Sequence, residues 1–348
     1  MKRIVYLFGS GVVQAEIAHQ GIHSDATMTG LNERVYKMSE ECNGEYFRLT
    51  QHHPIPQYQD VELMMSLLES FSEKRRKDFV AIHAELRKLV RRCLISEITQ
   101  RRIEPRLMIS LLHFNNRYQQ HMESDGEEML GVLTTNYDSL IEEAFSRMYE
   151  GLNLGFDFKS KDYKFNGKIP FLLKLHGSFN WRIHDGELQI SRDFESVDSE
   201  DDYTGWIPPS VYKKPSERIF ECIWDKASEL LTECDILRVI GSSLRSEDLC
   251  LISLIFTSRI LSKKAFDIEL IVSELTAKGD DEHPNSIMQR LPFLGRMKSL
   301  SALPVFDVNM LGANTFFQWL IIKAREIEGR DPSIGEDELV NEMLYGEK

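Results

Sequence analysis

The chain is poor in the features that staple or anchor a protein. Its five cysteines, Cys42, Cys93, Cys222, Cys234 and Cys250, are scattered and form no CxxC pair. An odd, dispersed set argues against a disulfide framework and against a four-cysteine zinc site. Buried thiols in a reducing compartment are expected instead. No apolar run approaches the length that spans a bilayer. The start, MKRIVYLFGSG, turns to glycine before a signal-peptide core could form. A soluble, cytoplasmic protein is expected. Positive charge is also scarce, with 42 Lys and Arg against 55 Asp and Glu, for a net charge of -13. That balance disfavours direct contact with nucleic acid or acidic membrane. There is no internal repeat and no low-complexity tract.

What is present is a rhythm of short apolar runs and longer amphipathic ones. Ile4–Phe8 reads as a buried strand that stops at Gly9-Ser10-Gly11. The stretch from Val12 to about Gln51 resists assignment. Val61, Met64, Met65, Leu68 and Phe71 then recur at helical spacing, and further helical patterns cover about 78–99 and 106–122. A helical insertion over about 55–125 is the expectation. Its basic run, Lys74, Arg75, Arg76, Lys77, Arg87, Lys88, Arg91 and Arg92, reads first as a solvated helix face. Strand patterns return at GVLTT, FLLKL and 236–240, with candidates at 269–272 and 305–308. Helical patterns follow Ser139 and cover 216–233, 247–261 and 314–327. Strands alternating with helices imply a mostly parallel, doubly wound α/β sheet. Residues 177–214 look like a loop and hairpin insertion, and 330–348 like an acidic C-terminal tail.

Four short polar motifs each follow an apolar strand: Gly9-Ser10-Gly11, Thr135-Asn136-Tyr137-Asp138, His176-Gly177-Ser178 and Gly241-Ser242-Ser243-Leu244. Open α/β sheets bind ligands outside the carboxyl ends of their strands, so these motifs are expected to converge on one crevice. Gly9 and Gly11 permit a tight turn and close approach to a diphosphate, and a plain strand-to-helix turn explains them too. Gln14 stands where a full GxGxxG fingerprint needs its third glycine, which disfavours a conventional dehydrogenase. His176 is placed to take a proton or to make a structural hydrogen bond at the rim. Asn136 suits orienting a water or a ribose hydroxyl. Asp138 suits reading a carboxamide or capping the helix that follows.

In this order, GSG, TTNYD, KLHGS and GSSL resemble the motifs of the sirtuin-like family. TTNYD, LHGS and the DVELMMSLL stretch are similar in particular to the zinc-free branch found in bacterial antiphage defence proteins. The resemblance implies a Rossmann-like, sirtuin-type NAD-binding domain over 1–329. It implies that Gly9, Ser10 and Gly11 hold the diphosphate. Asn136 engages the nicotinamide ribose or positions water beside Thr135, and Asp138 reads the nicotinamide amide. His176 is the general base, and Gly241, Ser242 and Ser243 contact the adenosine half and phosphates. Two departures stand out. The paired cysteines of zinc-bearing deacylases are absent, and GSGVV replaces the family's GAGIS or GAGAS.

The function this implies is an NAD hydrolase that releases nicotinamide and ADP-ribose, acting as an NAD-depleting antiphage effector. It would work without zinc, as a homo-oligomer, with a HerA-like ATPase or another defence protein as partner. The alternatives are an NAD-dependent protein deacylase or ADP-ribosyltransferase, and a nucleotide-binding scaffold with weak catalysis. On the hydrolase reading, His176→Ala abolishes NAD cleavage at little cost to the fold, because an edge histidine has a small packing load.

Overall fold

The computed structural model of the chain describes residues 1–22, 28–52, 60–72, 77–99, 103–121, 127–192, 205–209, 218–242, 244, 248–271 and 297–299. The patterns at 305–308 and 314–327, and the acidic stretch 330–348, lie outside these residues.

The first strand, β1 (Lys2–Phe8), is fully buried from Ile4 onward, as an unbroken apolar run requires when both faces of a sheet are covered. It lies at the centre of a six-stranded sheet. β2 (Glu127–Thr134) flanks it on one side, with the fourth strand, Phe171–Lys174, beyond. On the other side come the seventh (Ile236–Ile240), the eighth (Asp267–Ile271) and the ninth (Met297–Ser299). Every pairing in this sheet is parallel. Across the sheet its strands run β4-β2-β1-β7-β8-β9, the 3-2-1-4-5-6 order of dinucleotide-binding sheets. The order reverses between β1 and β7, so the switch point falls there.

Helix α1 (Ser10–His19) follows β1 directly, and α6 (Arg106–His121) packs on it and on α7 (Leu140–Tyr149). A second pair, α8 (Arg218–Glu233) and α9 (Leu249–Leu261), packs together, with α8 also against β1, β2 and β4. The fold is therefore a doubly wound α/β sheet with helical insertions.

Four helices build a separate core: α2 (Met28–Glu41), α3 (Glu45–His52), α4 (Val61–Ser72) and α5 (Lys77–Thr99). The stretch that resists assignment from sequence thus holds α1, α2 and α3. In contrast, α6 buries Leu107, Met108, Leu111 and Leu112 in the sheet core. The basic run is not uniformly solvated. Arg91 is buried and Arg87 half-buried over the Trp206 ring, whereas Lys88 and Arg92 are exposed. The hairpin expected after His176 is formed by β5 (Trp181–His184) and β6 (Glu187–Ile190), joined by the short β3 (Lys159–Ser160). Among the described residues, no helix is long and apolar enough to cross a membrane.

Candidate active site

Strand register sets the site. Phe8 pairs with Thr134 on one side and Ile240 on the other, and Thr134 pairs with Lys174. Four neighbouring strands therefore end flush, and each motif starts from the same edge.

At the switch point the first and last motifs touch. The Gly11 amide donates to the Gly241 carbonyl at 2.8 Å, and the Gly9 amide to the Ile240 carbonyl at 3.0 Å. A Cβ on Gly11 would stand 2.7 Å from the Gly241 backbone, and Gly241 itself has φ +63. Glycine is required because two backbones meet and one of them is left-handed. The Gly9 and Gly11 amides are thus engaged within the protein, and Ser10 is the exposed member of the trio. Ser242 is half-buried and its Oγ accepts from the Leu244 amide at 3.3 Å. Ser243 lies outside the described residues.

The second motif leans on the first. The Thr135 amide donates to the Phe8 carbonyl at 3.2 Å. Asn136 donates its amide to Thr134 Oγ1 at 3.0 Å and its Nδ2 to the Gly9 carbonyl at 3.1 Å. A carbonyl only accepts, so this contact fixes which end of the Asn136 amide is the donor. Its Oδ1 is left as the end suited to accept from a hydroxyl or water.

His176 joins the third motif to the second. Its Nδ1 lies 3.2 Å from the Thr135 carbonyl, which makes Nδ1 the protonated nitrogen. Nε2 faces Asp248 Oδ2 at 3.8 Å. His176 is buried rather than at an edge, 2% exposed, with its ring 5.8 Å from the Tyr137 ring. The small packing load expected of a rim histidine is therefore not what the fold gives it. Gly177, at φ +70, lets the chain turn beneath it, where a Cβ would overlap the Gly205 carbonyl.

Asp138 is also buried, and its Oδ1 accepts from the Leu140 amide at 3.0 Å, the geometry of a turn-capping residue at the start of α7. Burial raises its carboxyl above the ordinary range, and Lys174 opposes that rise. Lys174 is the residue the sequence reading missed. Its side chain is fully buried and pairs with Glu142 Oε2 at 2.9 Å. It also donates to Ser178 Oγ at 2.6 Å and to the Asp138 carbonyl. Ser178 Oγ in turn donates to the Tyr137 carbonyl at 2.9 Å. One ammonium therefore ties the TTNYD turn to the HGS turn from below. A signal for it existed: a lysine inside a run that reads as a buried strand needs a buried partner.

The helical core reaches this corner through aromatic rings. Tyr137 stacks on Phe179 at 5.3 Å, and Trp206 meets both edge-on at 5.6 and 5.2 Å. Arg87 of α5 covers Trp206 at 5.0 Å. Burial pushes the Tyr137 hydroxyl well above its ordinary range, and Glu62, Asp248 and Glu69 push the same way. Among the described residues, no three His, Cys, Asp or Glu side chains cluster as a metal site requires.

Residues 131–253 match the family described as the SIR2-like domain. The match runs from Gly131 in β2 into α9, and so takes in Asn136, Asp138, His176, Gly241 and Asp248. Similar solved structures include a Sir2 homolog–NAD complex, at 14% identity and a TM-score of 0.42, covering 94% of this chain and 90% of that one. A Sir2 homologue mutant bound to 2′-O-acetyl ADP ribose has 15% identity, coverage of 94% and 93%, and a TM-score of 0.40. Sir2Tm bound to a propionylated peptide has 12% identity, coverage of 94% of each chain, and a TM-score of 0.34. No curated protein matches significantly in sequence.

Proposed function

We propose that this chain cleaves the nicotinamide–ribose bond of NAD with water as the acceptor. The observation that carries this reading is the run of direct contacts across the site. His176 holds Thr135, Asn136 holds Gly9, and Gly11 holds Gly241. The run starts at the switch point between β1 and β7 and extends along the same sheet edge to the ends of β2 and β4, in a sheet with dinucleotide-binding order.

The chemistry follows from those positions. The C1′–N1 bond breaks and its electron pair goes to the pyridine nitrogen, so nicotinamide leaves neutral. The ribose carries oxocarbenium character until a water oxygen bonds to C1′. Asn136 Oδ1 orients that water, and His176 Nε2 takes its proton and passes it to solvent. Nicotinamide, ADP-ribose and one proton result. Exposed Ser10 and the positive end of α1 suit the diphosphate, with Gly9 and Gly11 shaping the turn. The motif resemblance assigns Gly241, Ser242 and Ser243 to the adenosine half. Asp138 holds the turn that presents Asn136.

A second reading uses the same residues with an acyl-lysine or protein nucleophile in place of water, and the SIR2-like match supports NAD use in either case. Nicotinamide release by pure protein separates the two. Release from NAD alone, unchanged by an acetylated peptide, supports hydrolysis. Release that requires the peptide supports transfer. The motif resemblance further supports a zinc-free, cytoplasmic antiphage effector acting as a homo-oligomer with an ATPase of the HerA type. Infection of cells carrying the chain, with NAD measured over time, tests that role.

A further inference from the structure

We propose that Asp248 is a positioning carboxylate for His176, holding the imidazole ready to accept a proton on Nε2 and stabilising the imidazolium that forms. The inference deepens the hydrolase reading and rests on it for its catalytic consequence.

The geometry has two halves. Thr135 fixes one side of the ring, since its carbonyl 3.2 Å from Nδ1 demands a hydrogen there. The nitrogen that gains a proton during turnover is then Nε2. The other side of the ring faces Asp248 Oδ2 at 3.8 Å. That distance is too long for a direct hydrogen bond. It is short enough for a carboxylate to favour a cation strongly, because the side chains are only 3% and 12% exposed. Asp248 therefore acts on the proton's destination rather than on the substrate.

Other charges approach this corner. Glu62 and Glu69 of α4 and Arg87 of α5 act on Tyr137, whose ring packs beside His176. Among the described residues, Asp248 sets a carboxylate oxygen 3.8 Å from the His176 ring nitrogen itself. It also occupies the position before α9, where its carbonyl accepts from the Ile252 amide, but its side chain makes no cap hydrogen bond. Asn and Ser serve as helix caps but carry no charge, and Glu keeps the charge.

The test reads His176 directly, by NMR titration of the full chain with labelled histidine, comparing wild type with Asp248→Asn, Asp248→Ser and Asp248→Glu. The expected result is a His176 titration midpoint about one pH unit lower in the Asn and Ser variants, largely restored by Glu. Nicotinamide release should fall at least about tenfold in kcat for D248N, with KM for NAD within about threefold, and the acid limb of the pH profile should move with the midpoint. An unmoved midpoint in both D248N and D248S overturns the proposal. So does a D248E variant that behaves like D248N. Wild-type protein that releases no nicotinamide would instead overturn the proposed function, and the titration would still decide the pairing.

Discussion

Two ion networks, one partly and one fully buried, lie in and at the end of this sheet, and they do different work. In the strands, Arg238 of β7 reaches Glu127 of β2 at 3.0 Å and Glu269 of β8 at 2.8 Å, and donates to the Tyr6 hydroxyl at 3.1 Å. Tyr6 passes the contact on to Asn115 of α6 at 3.0 Å. This network stitches strands that backbone pairing already aligns. At the carboxyl end, Lys174 instead joins two turns beyond the paired residues of β2 and β4, through Asp138, Glu142 and Ser178, beside a backbone hydrogen bond from the Phe179 amide to the Tyr137 carbonyl. The first network is part of the frame. The second sets where Asn136 and His176 stand relative to each other. Burial differs as well: Lys174 and Glu142 are sealed at 0% exposure each, whereas Glu127 is 26% and Glu269 14% exposed.

The largest expected effect belongs to the turns themselves. Asn136→Ala and His176→Gln should each lower nicotinamide release by about 100-fold to 10,000-fold. The double variant should lose little more, because both residues serve one step. His176→Ala should in addition lower stability by about 1–3 kcal/mol, since it removes a buried ring and leaves the half-buried Thr135 carbonyl without its donor. Calorimetry of both His176 variants separates that packing cost from chemistry. Near-normal turnover in N136A or H176Q would remove the proposed roles.

The ion networks come next. Lys174→Met leaves a buried Glu142 without its cation and should cost about 3–5 kcal/mol in denaturant unfolding. Replacing both partners, Lys174→Met with Glu142→Leu, should recover most of that stability. Turnover should not recover with it, because the ties to Asp138 and Ser178 stay broken. Arg238→Met should cost less than Lys174→Met, because water reaches Glu127 and Glu269, and the folded fraction should turn over NAD at the wild-type rate. A double variant with restored turnover would erase the distinction between frame and turn.

Much of this was legible in the sequence, for a physical reason. Strand ends in a parallel sheet are marked by an abrupt change from apolar to small and polar residues, and four such changes are visible. Most helices with a long apolar period were legible too, including α4, α5, α6 and α8. The helices of the 28–52 stretch were not, because α2 and α3 are short or polar and bury only a few side chains, such as Leu31, Val35 and Tyr46. Lys174 and Asp248 were invisible as site residues because their roles depend on long-range partners. Glu142 lies 32 residues from Lys174, and Asp248 approaches His176 from the far side of the switch point. His176 was misjudged in burial because the aromatic wall of Tyr137, Phe179 and Trp206 comes from three separate segments.

The last test asks whether the frame also contains a titrating weakness. Glu16 of α1 is fully buried, and its Oε1 accepts from the Met108 amide at 2.9 Å, in the first turn of α6. Burial raises its carboxyl to about 8, against the hydrogen bonds from Met108, Leu107 and Arg106, which favour the charged form. The folded state therefore holds this proton more tightly than the unfolded chain does. Below about pH 4.5 both states are protonated and the group has no effect on stability. As pH rises from there towards about 8, the unfolded chain loses its proton first. Stability should then fall by about 1.4 kcal/mol per pH unit from this group. Glu16→Gln keeps an oxygen for the Met108 amide and cannot ionise, so it should remove that slope while changing acid stability little. The measurement is the unfolding free energy of both proteins from pH 5 to 8, and the two curves should diverge steadily with Gln above Glu. Parallel curves would mean that Glu16 is charged in the folded state and that the N-terminus of α6 stabilises it fully.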